Sequence, residues 1–223
     1  MIEIRNLCYR FLHINYLDIP HGITTVIGSN GSGKTTLLRL CAGIAVPEAG
    51  TIMIDGKTPR QTDIGWLNEF PDRNMLFSNV WDEIASPLRF RYMAPDETDR
   101  AVKRIAKRLG IKNLLSRQVQ DLSGGEKVLV ALAAALVTGP DIIILDEYDS
   151  HLDEKRCSQI DEVLTGSGYG YILRCTQQME TAAKSDYLVM IDHGKTVLKG
   201  TPAEVFPLLT TSMYYPLSWR AGL

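Results

Sequence analysis

What this chain has little of narrows its class first. It has four cysteines in 223 residues, Cys8, Cys41, Cys157 and Cys175, and none falls in a CxxC pair or beside a histidine at ligand spacing. That pattern argues against a disulfide-stapled scaffold or a zinc site and leads us to expect reduced thiols, in or near the core, in a reducing compartment. No apolar stretch reaches the roughly 18–20 residues a bilayer demands. The longest, Val128–Val137, suits a buried helix. The opening MIEIRNLCYR lacks the apolar run of a secretion signal, so a cytoplasmic chain is expected, one that meets a membrane only through a partner. A formal net charge of -2 leaves no footprint for nucleic acid or anionic lipid. There is no internal repeat and no low-complexity tract. What remains, 45% hydrophobic and 22% charged residues, is ordinary globular composition, long enough for one α/β domain with a small inserted lobe.

Periodicity supplies the elements. Residues 2–19 alternate loosely and carry aromatics, as antiparallel strands do. Ile23–Ile27 is a β-branched run that ends at Gly28 and reads as a buried strand. Leu37, Leu38, Leu40 and Cys41 fall at helical spacing, and Gly43 can end that helix. Short strands are expected at Thr51–Ile54 and Ile64–Leu67. From about residue 70 to 118 the chain gains charge and helical periodicity, with Val102, Ile105, Ala106 and Leu109 on one face, which suggests an inserted helical lobe. The expected organisation is a core of residues 1–69 and 138–223 with a helical subdomain over 70–137. Strand grammar returns at Asp141–Leu145, Tyr169–Cys175 and Tyr187–Ile191, and His193-Gly194 reads as a hairpin turn. Pro207–Leu223 is apolar and aromatic without periodicity and receives no assignment.

Three motifs carry chemistry. Gly28, Ser29, Asn30, Gly31, Ser32, Gly33, Lys34, Thr35 and Thr36 fit GxxxxGK[ST] between an expected strand and an expected helix, the context that pattern requires. Glycines let backbone N–H groups turn inward on a polyphosphate, and the helix adds its positive end. Lys34 would reach the β- and γ-phosphates and the Thr35 hydroxyl would ligate Mg²⁺. Further on, an apolar strand runs into Asp146 and Glu147. A buried strand presents its C-terminal end at a ligand crevice. Asp146 is expected to hold the metal there, and Glu147 to polarise an attacking water. A third feature, Ser123-Gly124-Gly125-Glu126 ahead of the apolar helix Lys127–Leu136, is another anion cradle at a helix start. One nucleotide does not need two cradles in one chain, so this one is expected to serve the nucleotide of a facing copy.

Taken in order, these motifs resemble the ATP-binding-cassette ATPase family over nearly the whole chain. Gly28–Thr36 looks like its Walker A loop, Ile142–Glu147 like Walker B and Leu122–Glu126 like the signature motif, with Glu126 where glutamine is usual. Ser150-His151-Leu152-Asp153 is similar to the D-loop, and Gly200–Val205 to the closing helix. The stretch Leu76–Ala85 resembles importer ATPases of the energy-coupling-factor and cobalt type. The resemblance implies a P-loop NTPase core, RecA-like, with an N-terminal antiparallel β subdomain and the inserted helical lobe. It also implies ATP and Mg²⁺ as ligands, a head-to-tail dimer enclosing two ATP molecules, and a transmembrane partner driven by dimer closure. An aromatic that stacks on adenine is expected near the N-terminus. Phe11 fits best by position and Tyr9 second, with plain core packing as the alternative for either.

Two positions depart from the family pattern. Glu69 stands where a metal-ligating glutamine belongs. Gln177, after Thr176, stands where the switch histidine belongs. An amide donates a hydrogen bond but relays no proton, so slow hydrolysis with retained ATP binding is expected. The competing reading is a weakly hydrolysing regulatory subunit or heterodimer partner. A soluble cassette of DNA repair or translation is disfavoured, because the chain has neither a tandem cassette nor a coiled-coil insert. His13, His21, His151 and His193 read as loop or turn residues, and Lys103, Arg104, Lys107 and Arg108 as the solvated face of a helix.

Overall fold

The alternation seen in the first twenty residues folds as a hairpin. Ile2, Ile4 and Leu7 of β1 (Ile2–Tyr9), and Leu12, Ile14, Leu17 and Ile19 of β2 (Leu12–Ile19), are buried, while the residues between them are partly or fully exposed. The structure, a computed structural model, describes residues 1–150, 152–166 and 168–220. His151 of the D-loop-like segment lies outside the described residues. The remaining elements are β3 (Gly22–Ile27), α1 (Lys34–Cys41), β4 (Ala49–Ile54), β5 (Ile64–Leu67), α2 (Val80–Phe90), α3 (Pro95–Arg108), α4 (Gly124–Leu136), β6 (Ile142–Asp146), α5 (Glu154–Thr165), β7 (Tyr171–Cys175), α6 (Met179–Ala183), β8 (Tyr187–Asp192), β9 (Lys195–Gly200), α7 (Pro202–Val205) and α8 (Leu217–Arg220).

Contacts divide the chain into two units. The first comprises Met1–Ile64, Ile144–Glu147 and, among the described residues, 170–220. One of its sheets is antiparallel, in the order β2-β1-β4. The other places the end of β6 beside β7, then β3, β8 and β9. β3 pairs in parallel with both β7 and β8, and β9 returns antiparallel on β8 through the expected hairpin. Parallel strands are covered on both faces, and all five residues of β7 are buried. Burying Arg174 with them requires hydrogen bonds. Its Nε donates to Thr25 Oγ1 at 2.9 Å and its Nη2 to the Thr181 carbonyl at 2.6 Å. The aromatic tail that showed no periodicity is packed here. Phe206, Tyr215 and Trp219 meet edge to face, with Phe206 and Trp219 ring centres 5.2 Å apart, over Ile27, Leu188 and Val205.

The second unit holds Gly65–Ile143 and Tyr148–Tyr169. Its helices follow their sequence signals. Pro95 opens α3, Asp96 and Glu97 sit in its first turn, and Lys107 and Arg108 in its last, which complements the helix dipole. The basic face read from the sequence is exposed. Asn79 caps α2 by accepting from the Trp81 N–H at 2.8 Å. Gly65 has no room for a side chain, since a Cβ would lie 2.5 Å from the Ala135 carbonyl oxygen.

Candidate nucleotide site

The site in the first unit is assembled from the chain ends of three neighbouring strands. β3 delivers the glycine loop, β6 the carboxylate pair and β7 the segment reaching Gln177. Gly28, Gly31 and Gly33 all have positive φ, 144°, 78° and 115°. Gly28 is also sterically required, because a Cβ there would fall 2.1 Å from the Ile191 carbonyl oxygen. Ser29 and Asn30 are exposed on the loop, while Ser32 is buried and its Oγ has no hydrogen-bond partner among the described residues. Lys34 and Thr35 open α1, with Thr36 half-buried behind them.

Lys34 is only 5% exposed. Its ammonium donates to the carbonyls of Gly28 (3.0 Å) and Ser29 (3.2 Å) and lies 3.6 Å from Glu147 Oε1. A cation this buried requires negative charge nearby, and Glu147 supplies it. Asp146, 3% exposed, accepts two bonds on the same oxygen, Oδ1. One comes from the Thr35 hydroxyl at 2.9 Å, the other from the Cys175 thiol at 2.8 Å. Burial first, then the Asp146 charge, pushes the Cys175 thiol well above its ordinary value, so it stays protonated and donating. Glu147 has φ 46°, in the left-handed region, and its N–H donates to the Cys175 carbonyl at 3.1 Å. Its Oε2 accepts from Gln177 Nε2 at 2.9 Å, and the same amide nitrogen is 3.3 Å from Asn30 Oδ1. Phe11 stands at the tip of the β1–β2 hairpin, 49% exposed, and its Cε2 would lie 3.5 Å from a Cβ placed on Gly33. Tyr9 is half-buried beneath the Arg10 guanidinium, 5.3 Å from its ring centre.

Thus Lys34, Thr35, Asp146, Glu147, Gln177, Asn30 and Phe11 come together in one unit. The rest of the glycine loop and Thr36 lie in the same unit, whereas Glu69, Ser123, Gly124 and Gly125 lie in the second. Glu69 is half-buried on the bend after β5. Ser123 is the N-cap of α4, with Gly124 and Gly125 as its first residues. Ser123 and Glu126 form a reciprocal capping box, in which the Glu126 carboxylate accepts the Ser123 N–H at 2.8 Å and the Ser123 hydroxyl accepts the Glu126 N–H at 3.3 Å. A Cβ on Gly125 would lie 2.0 Å from Arg156 Nη1. What sequence reasoning missed is Cys175. In the sequence it is one more thiol expected in or near the core, and only strand adjacency brings it to Asp146.

The donor set suits a metal–polyphosphate pair. Among the described residues no group of three or more His, Cys, Asp or Glu could hold a metal by itself. The Thr35 hydroxyl and Asp146 carboxylate offer two hard oxygens, and Mg²⁺ characteristically completes its octahedron from phosphate and water. The orphaned Ser32 hydroxyl and a buried ammonium that donates to two loop carbonyls would suit a loop that closes on an anion.

A glycine loop between a parallel strand and a helix, facing an acid at the end of β6, one strand removed in the same sheet, defines a phosphate-loop nucleotide-binding fold. The ABC transporter family profile matches residues 14–150, more than half of the chain. The chain belongs to that family. It is 32% identical over 223 residues to the energy-coupling factor transporter ATP-binding protein EcfA1 of Mycoplasmopsis pulmonis, covering 92% of this chain and 84% of the relative. It is 32% identical to the protein of the same name from Latilactobacillus sakei, covering 100% and 88%. Among solved structures it resembles cbiO1 of Clostridium perfringens, described as part of the ABC transporter complex cbiONQ, with a TM-score of 0.83 and 28% identity over 92% of this chain and 90% of that one. No helix among the described residues is long and apolar enough to cross a membrane.

Proposed function

We propose that this chain is the ATP-hydrolysing subunit of an importer of the energy-coupling-factor type, working as a head-to-tail pair on the cytoplasmic face of a membrane partner. The observation that carries the reading is the convergence of Lys34, Thr35, Asp146, Glu147 and Gln177 at one set of strand ends. Lys34 would exchange its carbonyl contacts for β- and γ-phosphate oxygens. Thr35 and Asp146 would hold Mg²⁺, with Glu69 offering a further oxygen. Bound with the nucleotide, the ion supplies neutralisation of phosphate charge. Glu147 would orient water and accept its proton. Phe11 would stack on adenine, and Ser123, Gly124 and Gly125 of a second subunit would cap the nucleotide. The relatives' names support the transporter class, and the residues support the ATPase.

A second reading, a subunit that binds ATP but turns it over slowly, draws on one contact. Gln177 donates to Glu147 at 2.9 Å, so the proposed base is tied to an amide that cannot relay its proton. Losing one preorganised donor at a transition state costs about 2.7–4 kcal/mol, or a hundredfold or more in rate. Single-turnover hydrolysis by the wild type, Glu147→Gln and Gln177→His separates the readings. An ATPase loses turnover with Glu147→Gln and gains it with Gln177→His. Absence of magnesium-dependent nucleotide binding would sink both.

A further inference from the structure

We propose that Cys175 is a positioning residue for Asp146, setting the carboxylate for a divalent ion. The inference rests on the reading of Asp146 as a metal-holding residue. β7 ends against the two acids with both its side chain and its backbone. The Cys175 thiol donates to Asp146 Oδ1 at 2.8 Å, and the Cys175 carbonyl accepts the Glu147 N–H at 3.1 Å. One residue therefore clasps neighbouring carboxylate positions from the same side, and it is completely buried.

The other donor to Asp146 Oδ1 is different in kind. Thr35 offers a hydroxyl, at 2.9 Å, whose oxygen is itself a hard ligand. An ion taking up that oxygen changes the Thr35–Asp146 contact. A protonated thiol is a poor ligand for Mg²⁺, which favours oxygen. The Cys175 bond is thus the contact to Asp146 that has no reason to change when the ion arrives. It keeps the carboxylate from rotating, so less ordering remains to be done on binding. Outer-sphere hydrogen bonds to metal ligands act in this way.

The test uses the full chain and a fluorescent ATP analogue, titrated with Mg²⁺ at fixed nucleotide and also in EDTA. Cys175→Ala removes the donor and leaves a small gap, and Cys175→Val removes it while adding volume, so the two err in opposite directions of packing. Cys175→Ser keeps a hydroxyl donor. Both donor-free variants should raise the Mg²⁺ concentration for half-maximal binding about tenfold, with EDTA binding unchanged within about twofold and the serine variant within about threefold of wild type. A general packing defect would move the EDTA measurement as well. Wild-type magnesium dependence in either donor-free variant that folds overturns the proposal, as does a serine variant as impaired as alanine. If Asp146→Asn itself leaves magnesium dependence intact, the assignment of Asp146 fails and takes the Cys175 role with it. If Asp146→Asn abolishes it while Cys175→Val does not, the Cys175 role alone falls.

Discussion

Gly28 and Gly31 belong to the same loop and are expected to respond very differently to alanine. At Gly31 φ is 78° and an added Cβ meets nothing within 4 Å. The cost there is the conformational one alone, about 1–2 kcal/mol for an L-residue held left-handed. At Gly28 φ is 144°, and the Cβ would meet Ile191 O at 2.1 Å and Ser32 Oγ at 2.9 Å. Strained backbone costs about 1–3 kcal/mol. Forcing the loop or the end of β8 aside adds overpacking of about 1–3 kcal/mol. Gly28→Ala should therefore lose about 2–6 kcal/mol, a large part of the ~5–15 kcal/mol that holds a typical domain. With roughly 2–4 °C per kcal/mol at this size, melting should fall by about 4–24 °C for Gly28→Ala and by about 2–8 °C for Gly31→Ala. Thermal and urea unfolding followed by circular dichroism, alongside nucleotide titration, measure both variants. Equal losses for the two variants would show that the close approach to Ile191 does not constrain the loop.

Glu126 has its carboxyl held below the usual range, first by the Ser123 backbone N–H, then by the Ser123 hydroxyl. A depressed folded-state value means that stability is present above the unfolded value of 4.5 and is lost as pH falls through the folded one. Glu126→Gln should flatten the acid limb of a urea-midpoint-against-pH curve below about pH 5; an unchanged limb would remove the capping box from the account. Cys8 is half-buried, whereas burial pushes the Cys41 thiol up to about 12. Iodoacetamide labelling of native protein at neutral pH, followed by mass spectrometry, should mark Cys8 well before Cys41, and equal rates would contradict the packing around α1.

Much of the site was legible because its chemistry is written locally. The glycine loop, the acid pair and the Ser123 cap are each contiguous, and each stands beside an element whose periodicity announces it. Gln177 was legible as a departure from a pattern, but not as a residue tied to Glu147, because that contact joins positions thirty apart through the adjacency of β6 and β7. Cys175 was hidden for the same reason. Its spacing carries no metal or redox pattern, and only sheet order brings it to Asp146. The tail was illegible in another way. Tyr215 and Trp219 have no helical or strand period because they converge on Phe206 by edge-to-face ring packing rather than along one element.

Adjacent carboxylates tend to share one fate, yet here backbone geometry separates them. Asp146 is the last residue of β6, and its neighbours are a hydroxyl and a thiol, both neutral donors. Neutral donors orient a carboxylate without cancelling its charge, which stays available to a cation. Glu147 turns at φ 46° and meets an ammonium and an amide instead. Lys34 partly neutralises it, and the partnership must loosen when a polyphosphate competes for the same ammonium. Binding of the nucleotide would thus release Glu147 from Lys34 while leaving Asp146 held by Cys175. On this reading the phosphate charge itself loosens the proposed base from Lys34, while Gln177 still donates to it. That is why the histidine substitution at Gln177 should act on the rate of hydrolysis more than on nucleotide affinity.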